Sequence, residues 1–248
     1  ATVCSGQTTN YCDASLCPNG GPHIACNGLT TLSSSCGAGA AESTMDSTAQ
    51  AQILDEHNKL RNKVALGLQN YTATQFYSQA ARMATLQWDS ELASIAAANA
   101  RRCVYGHDTC RNTASMQFVG QNIAIQQYYG MIKTDSQLIT EFVQAWFSEY
   151  QYANPGYIDS YPKGYTGPAI GHFTQVVSDR SSKVGCSLVS YDADGWTNKL
   201  FVCNYGLTNM IGQPVYAAGT TASQCTTGTN PNYSGLCSVN EAVANNPQ

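Results

Sequence analysis

Charge is the scarcest property of this 248-residue chain: Asp, Glu, Lys and Arg make up 11% of it, against about 25% in an average soluble protein. The net charge is −4, the pI is near 5.5 and no run of Lys or Arg occurs. A phosphate backbone or an anionic lipid surface would meet no basic footprint, which argues against nucleic acid as a partner. No stretch of about 18 apolar residues is present to cross a bilayer. The opening "ATVCSG" lacks a basic-then-apolar leader, as expected of a mature secreted chain. Hydrolytic signatures are missing too, with neither an HExxH helix nor a serine in a Gly-x-Ser-x-Gly turn.

Cysteine is what the chain has in abundance. There are eleven, five of them in the first 36 residues, mostly in spacings that do not suggest metal ligation. Such a pattern reads as disulfides made in an oxidising compartment, and an odd count leaves at least one over. Two sequons, Asn70-Tyr71-Thr72 and Asn232-Tyr233-Ser234, fit an extracellular, glycosylated chain.

Along the chain, residues 1–44 read as a cysteine-rich N-terminal lobe without apolar periodicity, 45–210 as the principal domain and 211–248 as a C-terminal extension without a core. A helix is expected from Ser47, where Ser47-Thr48-Ala49-Gln50 resembles a capping box, to Gly67, with Ile53, Leu54, His57, Leu60 and Val64 at helical spacing. A second starts after Asp89-Ser90, and a third from about Ser136 to Tyr150 places Leu138, Phe142, Trp146 and Glu149 on one face. Glu149 thus joins an apolar stripe and is expected to point inward, to a partner such as an imidazole. His57 and His23 read as packing or surface histidines.

The runs "HFTQVVS", "VGCSLVSYD" and "WTNKLFVCNYG" read as an antiparallel meander, the last two joined at Asp194-Gly195. If that dipeptide is a type I′ turn, Cys186 faces Cys203 in a non-hydrogen-bonded pair, the closest approach a ladder offers and one suited to a cross-strand disulfide. Cys225 and Cys237, the only cysteines after Cys203, are expected to pair and close the C-terminal extension.

"GHDTC", "VGQNIA", "AWFSEY", "GHFTQVV" and "LFVCNYG" occur here in the order found in the CAP superfamily of cysteine-rich secretory, antigen-five and pathogenesis-related proteins. "YCDASLCPNGGPHIAC", "EHNKLR" and "YGHDTCR" resemble the insect antigen-five branch of venom and salivary proteins. Two departures are visible: Ser178 stands where the family usually has Trp, and "CNYGLTN" lacks the usual Pro-x-Gly.

The resemblance implies an α+β fold, a three-layer α-β-α sandwich with a central antiparallel sheet, whose cleft gathers two histidines and two acids. The matching positions are His107, Gln121, Glu149 and His172. His107, His172 and Glu149 are the candidate ligands of Zn²⁺ or another divalent ion, weakly bound. Gln121 cannot be a general base, which weakens the case for hydrolysis. The antigen-five pattern also implies disulfides Cys12–Cys26, Cys17–Cys110 and Cys36–Cys103, besides Cys186–Cys203. Cys4 is then left over, either free or linking a homodimer.

The function expected from the resemblance is that of a secreted, non-enzymatic binding protein of saliva or venom. Its targets would be a host plasma or immune protein, or a small hydrophobic ligand such as a lipid mediator. No Arg-Gly-Asp occurs, so integrin binding by that tripeptide is disfavoured. The rival reading is a divalent-metal-dependent hydrolase or protease using His107, His172 and Glu149.

Overall fold

A computed structural model describes residues 9–246; Cys4 and any intermolecular bond it forms lie outside them. The elements in chain order are β1 (Ala41–Glu42), α1 (Ser47–Ala65), β2 (Met83–Ala84), β3 (Gln87–Trp88), α2 (Ser90–Ala100), β4 (Gly120–Tyr128), α3 (Asp135–Ser148), α4 (Pro155–Asp159), α5 (Gly171–Val176), β5 (Lys183–Ala193), β6 (Trp196–Tyr205), β7 (Thr229–Asn230) and β8 (Tyr233–Cys237).

Each long helix starts at a side-chain cap. Asp46, one residue ahead of the expected box, accepts from the Ala49 N–H at 2.9 Å, and Asp89 accepts from Leu92 at 2.9 Å. Thr134 and Gln137 form a reciprocal capping box on α3. Ile53, His57, Leu60 and Val64 are the buried face of α1, and Leu138, Phe142 and Trp146 that of α3.

The main sheet runs β1-β5-β6-β4, with β3 also beside β5. Asp194 and Gly195 both have positive φ, 53° and 79°, as a type I′ turn requires. The resulting register sets Cys186 opposite Cys203 with their Cα atoms 4.1 Å apart.

Alternation along these strands divides the protein into layers. Cys186, Leu188, Phe201 and Cys203 face α1 and α3, whereas Val189, Leu200 and Val202 face Ala96 and Ala100 of α2. The expected three-layer sandwich is formed. Gly185 lets α2 lie directly on β5, since a Cβ there would sit 2.2 Å from the Ala93 nitrogen.

Arg61 of α1 anchors one end of the core. Its guanidinium is fully buried and donates to the carbonyls of Ala84, Val176, Ser178 and Ser181. The Ser178 carbonyl is thereby held at one of the positions that departs from the family pattern.

Two expectations are corrected. "HFTQVVS" is not a strand: residues Gly171–Val176 form α5, with Phe173, Val176 and Val177 buried at helical spacing. The β-branched residues made the run look extended, but a tertiary cap described below holds it helical. The C-terminal segment is also not coreless. Val215, Tyr216 and Leu236 belong to the main apolar cluster, and β8 pairs in parallel with β2, Met83 opposite Leu236. Gly235 lies against α1, its N–H donating to Asn62 Oδ1 at 2.7 Å. Few and irregularly spaced apolar residues hid this packing from sequence periodicity.

Among the described residues the disulfides are Cys12–Cys26, Cys17–Cys110, Cys36–Cys103, Cys186–Cys203 and Cys225–Cys237, the pairs expected. Asn232 is exposed in the β7–β8 turn; Asn70 is half-buried and donates to the Thr72 carbonyl at 2.8 Å.

Candidate functional site

His107 sits in the loop between α2 and β4, and that loop is pinned on both sides. Cys103 is bonded to Cys36 and Cys110 to Cys17, so the N-terminal lobe grips the segment carrying the imidazole. His107 is exposed, and its Nδ1 lies 2.7 Å from Gln121 Oε1.

The amide of Gln121 has one permitted orientation. Its Nε2 donates to Asp108 Oδ2 at 2.8 Å and to Asn204 Oδ1 at 2.9 Å, and a carboxylate can only accept. Oε1 therefore faces His107, which must donate from Nδ1. The lone pair of the ring remains on Nε2. Asp108 is itself held by Asn99 at 2.7 Å and by the Arg111 guanidinium at 2.7 Å.

His172 is the second residue of α5. Its Nδ1 donates to Glu149 Oε1 at 2.6 Å, so here too the free lone pair is on Nε2. Glu149 stands just past the end of α3, pointing inward as its place on the apolar stripe suggested. Its Oε2 also accepts from the backbone N–H groups of His172, at 2.8 Å, and Phe173, at 3.2 Å. Ile170, at the N-cap of α5, offers no side-chain acceptor. Glu149 thus caps a helix distant in sequence, with a charge that suits its N-terminus. Trp146 stacks on the His172 ring at 6.1 Å.

Behind His172 runs a buried polar chain that sequence reasoning missed. Asn122 Nδ2 donates to the His172 carbonyl at 3.2 Å and to the Tyr205 hydroxyl at 3.3 Å. The Tyr205 hydroxyl lies 2.8 Å from His57 Nε2, and His57 Nδ1 lies 2.7 Å from the Ile53 carbonyl. Because the carbonyl can only accept, His57 carries its proton on Nδ1 and accepts from Tyr205 on Nε2. Complete burial, with a smaller contribution from Arg61, lowers the His57 pKa to about 4, and the imidazole is neutral at pH 7. His57 is a packing residue, as expected, but one that supports the cleft. Its place on the apolar stripe of α1 was the available signal.

His23 is also structural. It is buried, stacks on Tyr11 at 4.9 Å and bonds the Asn112 carbonyl at 2.7 Å.

The four expected cleft residues therefore form two pairs, His107 with Gln121 and His172 with Glu149, tied to adjacent positions of β4 by Gln121 and Asn122. Each imidazole is oriented through Nδ1 and presents Nε2, the arrangement that suits a metal-ligating histidine. Among the described residues, no three His, Cys, Asp or Glu side chains are grouped closely enough to hold an ion. The donor set fits at most an ion held by two imidazoles and completed by water.

Residues 54–205 match the model of the cysteine-rich secretory protein family, CAP. The chain is 47% identical to "Venom allergen-1" of Aedes albopictus, over 98% of its own length and 93% of the relative's. It is 46% identical to "Venom allergen-1" of Aedes aegypti, over 94% and 89%. Among solved structures, zinc-bound NaASP2 superposes with a TM-score of 0.65 at 29% identity, covering 78% of this chain and 96% of that one.

Proposed function

Because the chain belongs to the cysteine-rich secretory protein family, in its insect antigen-five branch, we propose that it is a secreted, non-enzymatic binding protein of saliva or venom. Its partner is a host plasma or immune protein, or a small hydrophobic mediator. The observation that carries this reading is the state of the cleft's two acidic positions. Gln121 has no titratable group, and Glu149 is committed to three hydrogen bonds that hold α5 and His172 in place. Neither is poised to take a proton from water, so the cleft is built to hold shape. The five disulfides among the described residues support an extracellular setting.

Incubating the purified protein with plasma and with a lipid extract, then identifying what stays bound after washing, tests this reading. A specific host protein or lipid is expected. Hydrolysis of a peptide and ester panel that disappears with a chelator and in His172→Ala would replace binding with catalysis.

The free Nε2 atoms of His107 and His172 favour a secondary role in metal binding, in line with the zinc-bound relative. His107 and His172 would hold Zn²⁺ or another divalent ion, with Glu149 orienting His172. Bound there, the ion would supply Lewis acidity. Weak binding is expected by calorimetry, fading on acidification as protons compete for the imidazoles. Undiminished binding in the double His→Ala variant would place the ion elsewhere.

A further inference from the structure

At the end of the sheet away from the cleft, two adjacent turns carry apolar side chains where turns ordinarily carry polar ones. After β4 come Tyr129, 77% exposed, Met131, 57%, and Ile132, 97%; after the hairpin turn comes Trp196, 49%. The last β4–β6 pair is Tyr128 opposite Thr197, so the two turns lie side by side. The Tyr129 and Trp196 rings meet with centroids 6.4 Å apart and planes at 65°, a two-walled aromatic corner. Gln121 lies seven residues down β4, about 23 Å away at the usual strand rise. The tip and the cleft are separate features.

The charges around the tip narrow its occupant. Asp135, Glu141, Asp192 and Asp194 face only Lys133 and Lys199 in these segments, and Lys133 is already engaged by Glu141 at 2.5 Å. Asp194, in the hairpin turn two residues before Trp196, is exposed; Asp192 pairs with Thr197 on the other face of the hairpin and accepts from its hydroxyl at 2.9 Å. A carboxylate next to aromatic faces is what a quaternary ammonium group seeks, through Coulomb attraction and cation–π contact. An anionic lipid surface would be repelled. A stable dimer through this tip is disfavoured as well: four side chains on convex turns are far short of the roughly 800 Å² per partner of a standard interface. A bilayer asks for no such shape match.

We propose that this tip docks on phosphatidylcholine membranes, the Tyr129–Trp196 corner and Asp194 receiving choline headgroups while Met131 and Ile132 enter the acyl boundary. Trp and Tyr suit that depth because their rings are amphipathic. Docked this way, the protein would keep its His107–His172 cleft turned to solution.

Flotation with phosphatidylcholine vesicles, and with phosphatidylglycerol vesicles of the same acyl chains, decides it. We expect at least tenfold stronger partitioning to phosphatidylcholine, at least a fivefold loss in Ile132→Asp and in Trp196→Ala, and retention in Trp196→Phe. All three variants should melt like the parent, because the sites are exposed. Soluble phosphocholine should compete only partly, since it lacks the chains that Met131 and Ile132 contact; complete competition would reduce the site to one for the free headgroup and overturn membrane docking. Equal binding to both vesicles, no binding to phosphatidylcholine, or wild-type binding by Ile132→Asp would also overturn it. So would concentration-dependent self-association that Ile132→Asp abolishes, which would assign the patch to a second copy of the chain.

Discussion

Acidification should act on this protein in part through the buried imidazole of His57. His57 is fully buried, and its pKa lies at about 4 against an ordinary 6.5. In the unfolded chain it takes up a proton below about pH 6.5; in the folded chain it resists until about pH 4. The unfolded state therefore binds more protons across that window, and stability falls as pH falls through it. The stabilisation is fully present above pH 6.5 and is lost progressively down to pH 4. At 1.36 kcal/mol per pH unit, the whole interval amounts to about 3 kcal/mol. Structurally, a protonated His57 can no longer accept from the Tyr205 hydroxyl, so the chain through Asn122 to the His172 carbonyl breaks at its root. Urea unfolding at pH 7.5, 6, 5 and 4, with disulfides intact, should be compared between the parent and His57→Gln. Subtracting the two curves removes the carboxylates that both proteins share. The parent should lose about 3 kcal/mol more than the variant between pH 7.5 and 4. Parallel decline of the two proteins would refute the assignment to His57.

Glu149→Gln places an amide where three donors converge, and should lower stability by about 2–4 kcal/mol in thermal unfolding while weakening any Zn²⁺ binding about tenfold or more by calorimetry. A variant as stable as the parent would rule out the capping role. Leu236→Ala should cost about 2–5 kcal/mol in denaturant unfolding, as for a filled core position; a change near zero would restore the coreless reading of the C-terminal segment. Arg61→Met leaves four buried carbonyls without their donor and should cost about 3–5 kcal/mol, which chemical unfolding measures directly. Parental stability in that variant would mean that water replaces the guanidinium.

Local order in the chain was enough for the parts that depend on near neighbours. Asp89 before an alanine-rich run, and Leu138, Phe142 and Trp146 at intervals of four, follow from the 3.6-residue period of a helix. Asp194-Gly195 determines which cysteines face each other, because a two-residue turn sets the register of the whole hairpin. Ordered motifs were enough to locate His107, Gln121, Glu149 and His172, and the apolar stripe of α3 to turn Glu149 toward an imidazole, though not to show the partners of His107 and Gln121.

Contacts between distant segments decided the rest. β4 is buried on both sides over its first half, so its residues show no clean alternation and the strand was not legible. "GHFTQVV" is helical because Glu149, 23 positions away from His172, supplies the acceptor that Ile170 lacks. The C-terminal segment joins the core because β2 offers a strand edge and α1 an asparagine to Gly235, neither of which leaves a periodic trace in residues 211–248. Periodicity records a residue's relation to its own helix or strand. The donor that orients an imidazole, or the edge that receives a strand, exists only once the chain has folded back to provide it.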